Sequence, residues 1–159
     1  MPRIGISGHT NLTVATSRLV AGALRDVLSH DGDRLVGVTC LARGADQIFA
    51  RVVLDLGGRI EVVVPAADYR DRKVKADNAA AFDELIDRAA VVHTMPYPTS
   101  NRDAYMAASE HLLSTVDQLV AVWDGAPAGG FGGTADVVDA ARERGLPVAV
   151  VWPPGSARE

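Results

Sequence analysis

Gly129-Gly130-Phe131-Gly132-Gly133-Thr134-Ala135-Asp136 joins an apolar run, Leu119 to Trp123, to an amphipathic helical pattern that begins near Thr134. Residues of these types in this order suit an anion. Glycines let the main chain approach a phosphate closely, several N–H groups can converge on it, and the helix that follows adds about half a positive charge at its N-terminus. Thr134 either caps that helix through its hydroxyl or donates to the same phosphate. Arg43 and Arg102 are the cations to expect beside it, since a guanidinium fork matches phosphate oxygens bidentately. Asp136 either complements the helix dipole or, turned away from the phosphate, reaches a ribose hydroxyl, a base or solvent. Asp124, at the end of the apolar run, either serves the same purpose or accepts N–H bonds from its own turn.

The elements that must position these residues follow from periodicity. Apolar runs over Arg3–Ser7, Leu35–Cys40, Arg59–Val64, Ala90–Thr94, Leu119–Trp123 and Pro147–Trp152 predict strands, several continuous enough to be buried on both faces. Helical patterns cover Val14–Ser29, Ala45–Leu56, Asp77–Arg88, Asn101–Thr115 and Thr134–Arg144; the second stops at Gly57-Gly58 and the last at Gly145, ahead of Pro147. This alternation predicts an α/β fold, a doubly wound and mainly parallel sheet of about six strands with helices on both faces.

In such sheets ligands bind beyond the carboxyl ends of the strands. That rule gathers Ser7, Gly8, His9, Thr10 and Asn11 after the first strand, Arg43, Gly44, Ala45 and Asp46 after the second, and Asp124 with the glycine loop after the fifth. Ser7 and Gly8 meet a tight turn or a close backbone approach, and His9 can hydrogen-bond a ligand. Asp46 is read as an acid at a helix terminus rather than as a ligand contact. The basic stretch Asp68–Lys75 is either a solvated loop or a mobile flap bearing Arg70, Arg72 and Lys73. His30, His93 and His111 have no partner at metal spacing, so no metal is expected, and Cys40 reads as a small buried hydrophobe.

Standard nucleotide motifs are absent. The first turn, Gly5-Ile6-Ser7-Gly8-His9-Thr10, lacks the Gly-x-Gly-x-x-Gly spacing, Cys40 rather than an acid closes the second strand, and no Gly-x-x-x-x-Gly-Lys-Ser/Thr occurs. The Gly-x-Ser-Gly turn, Arg43-Gly44-Ala45-Asp46, Asn101-Arg102 opening a helix, and the late Gly-Gly-x-Gly loop together resemble the SLOG superfamily, which includes the Lonely Guy (LOG) phosphoribohydrolases. The resemblance covers essentially the whole chain. It implies a Rossmann-like, usually dimeric protein whose glycine loop, Gly129 to Thr134, holds the phosphate of a nucleotide, with no cofactor.

Catalysis in the LOG enzymes uses an arginine at a helix start and a glutamate in Pro-Gly-Gly-x-Gly-Thr-x-x-Glu. Arg102 matches the arginine. Ala128 stands where the proline belongs, and one extra glycine precedes Thr134. Aligned by glycines, Asp136 takes the glutamate place; aligned by threonines, Val137 takes it. Asp is one methylene shorter than Glu, and a misplacement near 1 Å costs about a hundredfold in rate. The expectation is therefore a nucleotide-binding domain with little or no catalysis. The alternatives are a phosphoribohydrolase using Arg102 and Asp136, and a partner-binding module that holds no nucleotide.

Bulk properties agree with a small-molecule ligand. With 159 residues, 48% of them hydrophobic, the chain can bury a sizeable core, read as a single domain over 1–152 followed by a disordered tail over 153–159. A net charge of −4 disfavours nucleic acid as a partner. One cysteine, no leader pattern and no apolar run near 18 residues predict a cytoplasmic protein without a membrane span.

Overall fold

Six short segments with apolar side chains on both faces form β1 (Arg3–Gly8), β2 (Val36–Thr39), β3 (Arg59–Val64), β4 (Val91–Thr94), β5 (Gln118–Val122) and β6 (Val148–Val150). Between them run α1 (Val14–Leu28), α2 (Ala45–Asp55), α3 (Tyr69–Lys73), α4 (Ala76–Asp87), α5 (Arg102–Ser114) and α6 (Thr134–Glu143). The computed structural model describes residues 2–127 and 133–159. Ala128 to Gly132, and with them most of the glycine loop, lie outside the described residues.

The strands make one sheet in the order β4-β3-β2-β1-β5-β6, with every pairing parallel. The chain winds outward from β1 to β4, then returns through α5 to place β5 on the other side of β1. The winding direction therefore reverses between β1 and β5, and a crevice opens there beyond the strand ends. This is the doubly wound α/β architecture that the alternation predicts.

Side chains alternate across the sheet as the strand period requires. Ile4, Ile6, Ile60, Val62, Val120 and Val122 pack with Leu24, Leu28, Phe49, Val53 and Leu85 on the face covered by α1, α2 and α4. Val38, Val63 and Leu119 meet Leu112, Leu113, Val137 and Ala141 of α5 and α6 on the other. Two strand glycines let the helices come close. A Cβ on Gly37 would stand 2.8 Å from the Phe49 ring, and one on Gly5 would stand 2.6 Å from Leu112.

Three segments depart from the expectations. β4 is an edge strand, and Val91 and Val92 are 49% and 44% exposed because no helix covers their outer side. The basic stretch after β3 forms the helical turn α3, with Tyr69 buried, Arg70 paired bidentately with Asp83 at 2.7 and 2.8 Å, and Asp68 accepting both Ser100 N–H and Oγ–H. The last residues, expected to be disordered, are docked. Leu12 and Arg158 form an antiparallel bridge, Glu159 N–H donates to Asn11 O at 2.7 Å, and Ala157 N–H donates to Thr16 Oγ1 at 2.8 Å. Thr16 is 1% exposed, so its hydroxyl offers the passing backbone an acceptor that water cannot satisfy.

Candidate functional site

Turns after β1 and β2 are fitted against each other by glycine. Gly44 adopts φ +86°, where a Cβ would stand 2.7 Å from His9 O, and Ala45 N–H donates to that same oxygen at 3.2 Å. Gly8 lies under the start of α2, where a Cβ would meet Ala45 at 2.5 Å and Val122 at 2.8 Å. The N-terminus of α2 is thereby pressed onto the end of β1. Residues just ahead of it are held by polar contacts: Thr39 Oγ1 accepts Leu41 N–H, Gln47 Nε2 donates to Leu41 O, and Asp46 Oδ2 accepts Ala42 N–H at 3.2 Å. Leu41 sits inside this brace at φ +55°, a conformation that costs energy for a residue with a Cβ.

A cleft of about 1170 Å³ opens over these turns. Its walls come from the β1 end (Ser7 to Leu12), the β2–α2 turn (Cys40 to Gly44, with Asp46 and Gln47), α3 and the residues after it, Tyr105 and Ser109 on α5, the start of α6, and the docked end of the chain. Arg43, Arg51, Lys73, Lys75 and Arg158 face Asp46, Asp77 and Glu159. Three of these cations already meet carboxylates, Arg43 with Asp77, Arg51 with Glu84 and Arg158 with Asp124, so an anionic occupant has to compete for them or meet Lys73 and Lys75.

Of the residues singled out from sequence, Ser7, Gly8, His9, Arg43, Gly44, Gly133 and Thr134 line this cleft together. Arg43 is half-exposed and already paired with Asp77 at 2.8 Å, so an anion must compete with that carboxylate. Thr134 opens α6, and Gly133 stands at its N-cap. Asp124 adjoins the cleft without lining it. Its Oδ1 accepts Ala126 N–H at 2.9 Å, the turn-bonding role that was one of its two readings, and this bond first, with His9 and Arg158 after it, holds the carboxyl below its usual range.

His9 is buried to 8% exposure, with its ring edge-on to Trp152 at 5.6 Å. Its Nε2 lies 3.1 Å from Asp124 N–H and 3.2 Å from Asp124 Oδ1. Desolvation, and then the nearby Arg158 guanidinium, push the imidazole below its ordinary value. The ring is therefore neutral near pH 7, with Nε2 accepting the backbone N–H.

Arg102 and Asp136 are not brought to the cleft walls among the described residues. Arg102 is exposed in the first turn of α5, behind the Asn101 cap that accepts Ala104 N–H. Asp136 lies in the first turn of α6, where Thr134 and Val137 are the residues that line the cleft. Gly129, Gly130, Phe131 and Gly132 lie outside the described residues.

Other wall residues were set aside by the sequence reading or missed by it. Asp46 is 6% exposed, and desolvation pushes its carboxyl up to about 7, only partly offset by the Ala42 N–H bond. Desolvation and then Asp46 also push up the thiol of Cys40, keeping it protonated; the side chain is half-buried rather than fully buried, packed against the second core cluster. Tyr69 and Tyr105 meet edge to face at 6.3 Å, and Tyr69 is raised by desolvation and by Asp46. The signal for Asp46 was its place one residue inside the second helix; nothing in the sequence pointed to Tyr105 or Arg158.

No family model and no curated protein matches this chain. Solved structures do. DNA processing protein A (DprA) from Streptococcus pneumoniae superposes with a TM-score of 0.71 at 17% identity, over 98% of this chain and 52% of that one. DNA processing protein A from Helicobacter pylori, described with its single-stranded DNA binding mode, gives 0.71 at 15% identity over 99% of this chain and 68% of that one. The molybdenum cofactor binding protein from Rippkaea orientalis gives 0.61 at 17% identity over 94% of this chain and 75% of that one. All share the Rossmann-like fold, and the chain spans about half the length of the Streptococcus protein. Among the described residues, no helix is long and apolar enough to cross a membrane.

Proposed function

We propose that this chain is a SLOG-type domain, cytoplasmic as its sequence pattern suggests and homodimeric as the resemblance implies, that binds a nucleotide or nucleotide derivative with little or no catalysis. The phosphate lies on Gly129–Thr134, and the ribose and base lie between the Ser7–Asn11 and Arg43–Asp46 turns. The observation that carries this reading is the cleft at the β1/β5 reversal, with Arg43, Lys73, Lys75, Gly133 and Thr134 on its wall. Binding is preferred over N-glycosidic hydrolysis because Arg102 and Asp136, the residues that the LOG chemistry requires, are not among the described wall residues.

Thermal unfolding with a panel of nucleoside mono- and diphosphates and ADP-ribose tests this. A ligand present at 100 times its Kd adds about 2.7 kcal/mol of stability. Gly132→Val is expected to abolish the shift while leaving the unliganded melting temperature within a few degrees. Retained affinity in that variant sinks the phosphate assignment. Free base released from a nucleoside 5′-monophosphate, and lost in Asp136→Ala, would restore the hydrolase.

A second reading is favoured by the two DNA processing protein A structures. The same anionic site then receives one nucleotide of a single strand. A short oligonucleotide that binds much more tightly than any mononucleotide, with an affinity falling steeply with salt, selects this reading.

A further inference from the structure

We propose that Asp46 selects the base, and that it selects one whose edge presents a ring N–H beside an exocyclic amino group, as a guanine-type 2-amino-oxo ring does. This rests on the nucleotide reading of the same cleft.

Asp46 is nine-tenths buried yet lines the cleft, and only its Oδ2 has an assigned partner, Ala42 N–H at 3.2 Å. Of its polar neighbours, the Gln47 amide donates to Leu41 O, the Tyr69 hydroxyl and Cys40 thiol are close enough for Asp46 to keep them protonated, and no cation stabilises the carboxylate. A buried acid without a cationic partner is costly to charge, and burial pushes this one up to about 7. A cap for the turn alone would be served by Asn without that cost. Two parallel N–H donors from a ligand supply what the protein withholds, since both carboxylate oxygens can accept at once.

Position argues for a base rather than a phosphate or a ribose. Asp46 follows β2, Gly133 and Thr134 at the start of α6 follow β5, and β1 lies between them in the sheet. Two strand spacings separate the two ends of the site by roughly 10 Å. That distance carries a 5′-phosphate past its own ribose hydroxyls to the far edge of the base, and a carboxylate placed at the phosphate would repel it. Tyr69, close to Asp46, and Tyr105, edge to face with Tyr69, put aromatic surface on the same cleft wall.

Calorimetric titration of the intact chain and of Asp46→Asn with the 5′-monophosphates of guanosine, inosine and adenosine, and with ribose 5-phosphate as a base-free probe, tests the assignment. The wild type is expected to bind guanosine monophosphate at least tenfold more tightly than the inosine compound, which lacks the 2-amino group. Asn keeps an acceptor for Ala42 N–H but presents an amino group in place of the second oxygen. It is expected to erase the preference and leave ribose 5-phosphate within twofold. Equal affinities in the wild type, or an unchanged preference in Asp46→Asn, overturn the inference while leaving the phosphate reading standing. If ribose 5-phosphate and all three nucleotides fail to bind, the nucleotide reading falls and this inference falls with it. Should Asp46→Asn not fold, the guanosine-to-inosine ratio of the wild type decides alone.

Discussion

At the residue scale, Asp46 makes the protein's stability depend on pH in a direction opposite to most carboxylates. Its folded value of about 7 stands above the ordinary aspartate value of 3.8. The folded state therefore holds a proton that the unfolded state has released between these values, and the Asp46 contribution is complete below about pH 4 and lost as pH rises to about 7. The wild type is expected to lose up to about 4 kcal/mol relative to Asp46→Asn across that window, read from urea midpoints at each pH. Cys40 and Tyr69 are the titratable groups coupled to it, and both stay protonated throughout. Taking the difference between the two proteins removes the opposing effect of His9. That imidazole is lowered in the folded state, so its contribution is present above about pH 6.5 and lost on acidification. Sequence reading placed Ser7, Gly8, His9, Arg43 and Gly44 at one edge because topology alone gathers strand ends. It set Asp46 aside because an acid in a first helical turn has an ordinary explanation, and burial from three sides is not written in local spacing.

At the element scale, the strand glycines set how closely helices approach the sheet. Gly37→Ala is expected to destabilise by about 1–3 kcal/mol, measured by chemical denaturation, because the added methyl meets the fully buried Phe49 ring and neither neighbour has room to move. The start of α1 depends on Thr13, whose Oγ1 accepts Thr16 N–H at 3.1 Å. Thr13→Ala is expected to cost about 1 kcal/mol in the same assay. Strand and helix positions were legible from apolar period, with bounds shifted by a residue or two where caps intervene. The turn α3 was not, since Arg70, Arg72 and Lys73 suggest solvent while Tyr69 and the Asp68–Ser100 bonds anchor the segment.

At the scale of the whole molecule, the two ends of the folding problem meet in one place. The doubly wound parallel sheet could be read from β-α alternation, whereas its strand order and the docking of the last residues could not, because Pro153-Pro154-Gly155 carries no period and its bonds go mainly to backbone and to one hidden hydroxyl. Thr16→Val tests that latch. The substitution keeps the shape but leaves Ala157 N–H without its acceptor, at a cost of about 1–3 kcal/mol. Amide exchange at Ala157 and Glu159 is expected to quicken well beyond any change in the strands; unchanged protection there would mean that the Leu12–Arg158 bridge holds the segment by itself.

The docked end also decides where foreign sequence can be attached. Arg158 and Glu159 stand on the cleft wall, bonded to Asn11, so any peptide fused after Glu159 begins at the mouth of the cleft and competes with whatever enters. Pro2 lies at the other end of the strands, ahead of β1, where its carbonyl accepts Val36 N–H at the start of β2. If the proposed site is right, a fluorophore placed ahead of Pro2 leaves ligand affinity unchanged, whereas a peptide joined directly to Glu159 weakens it, as titration of the two versions would show.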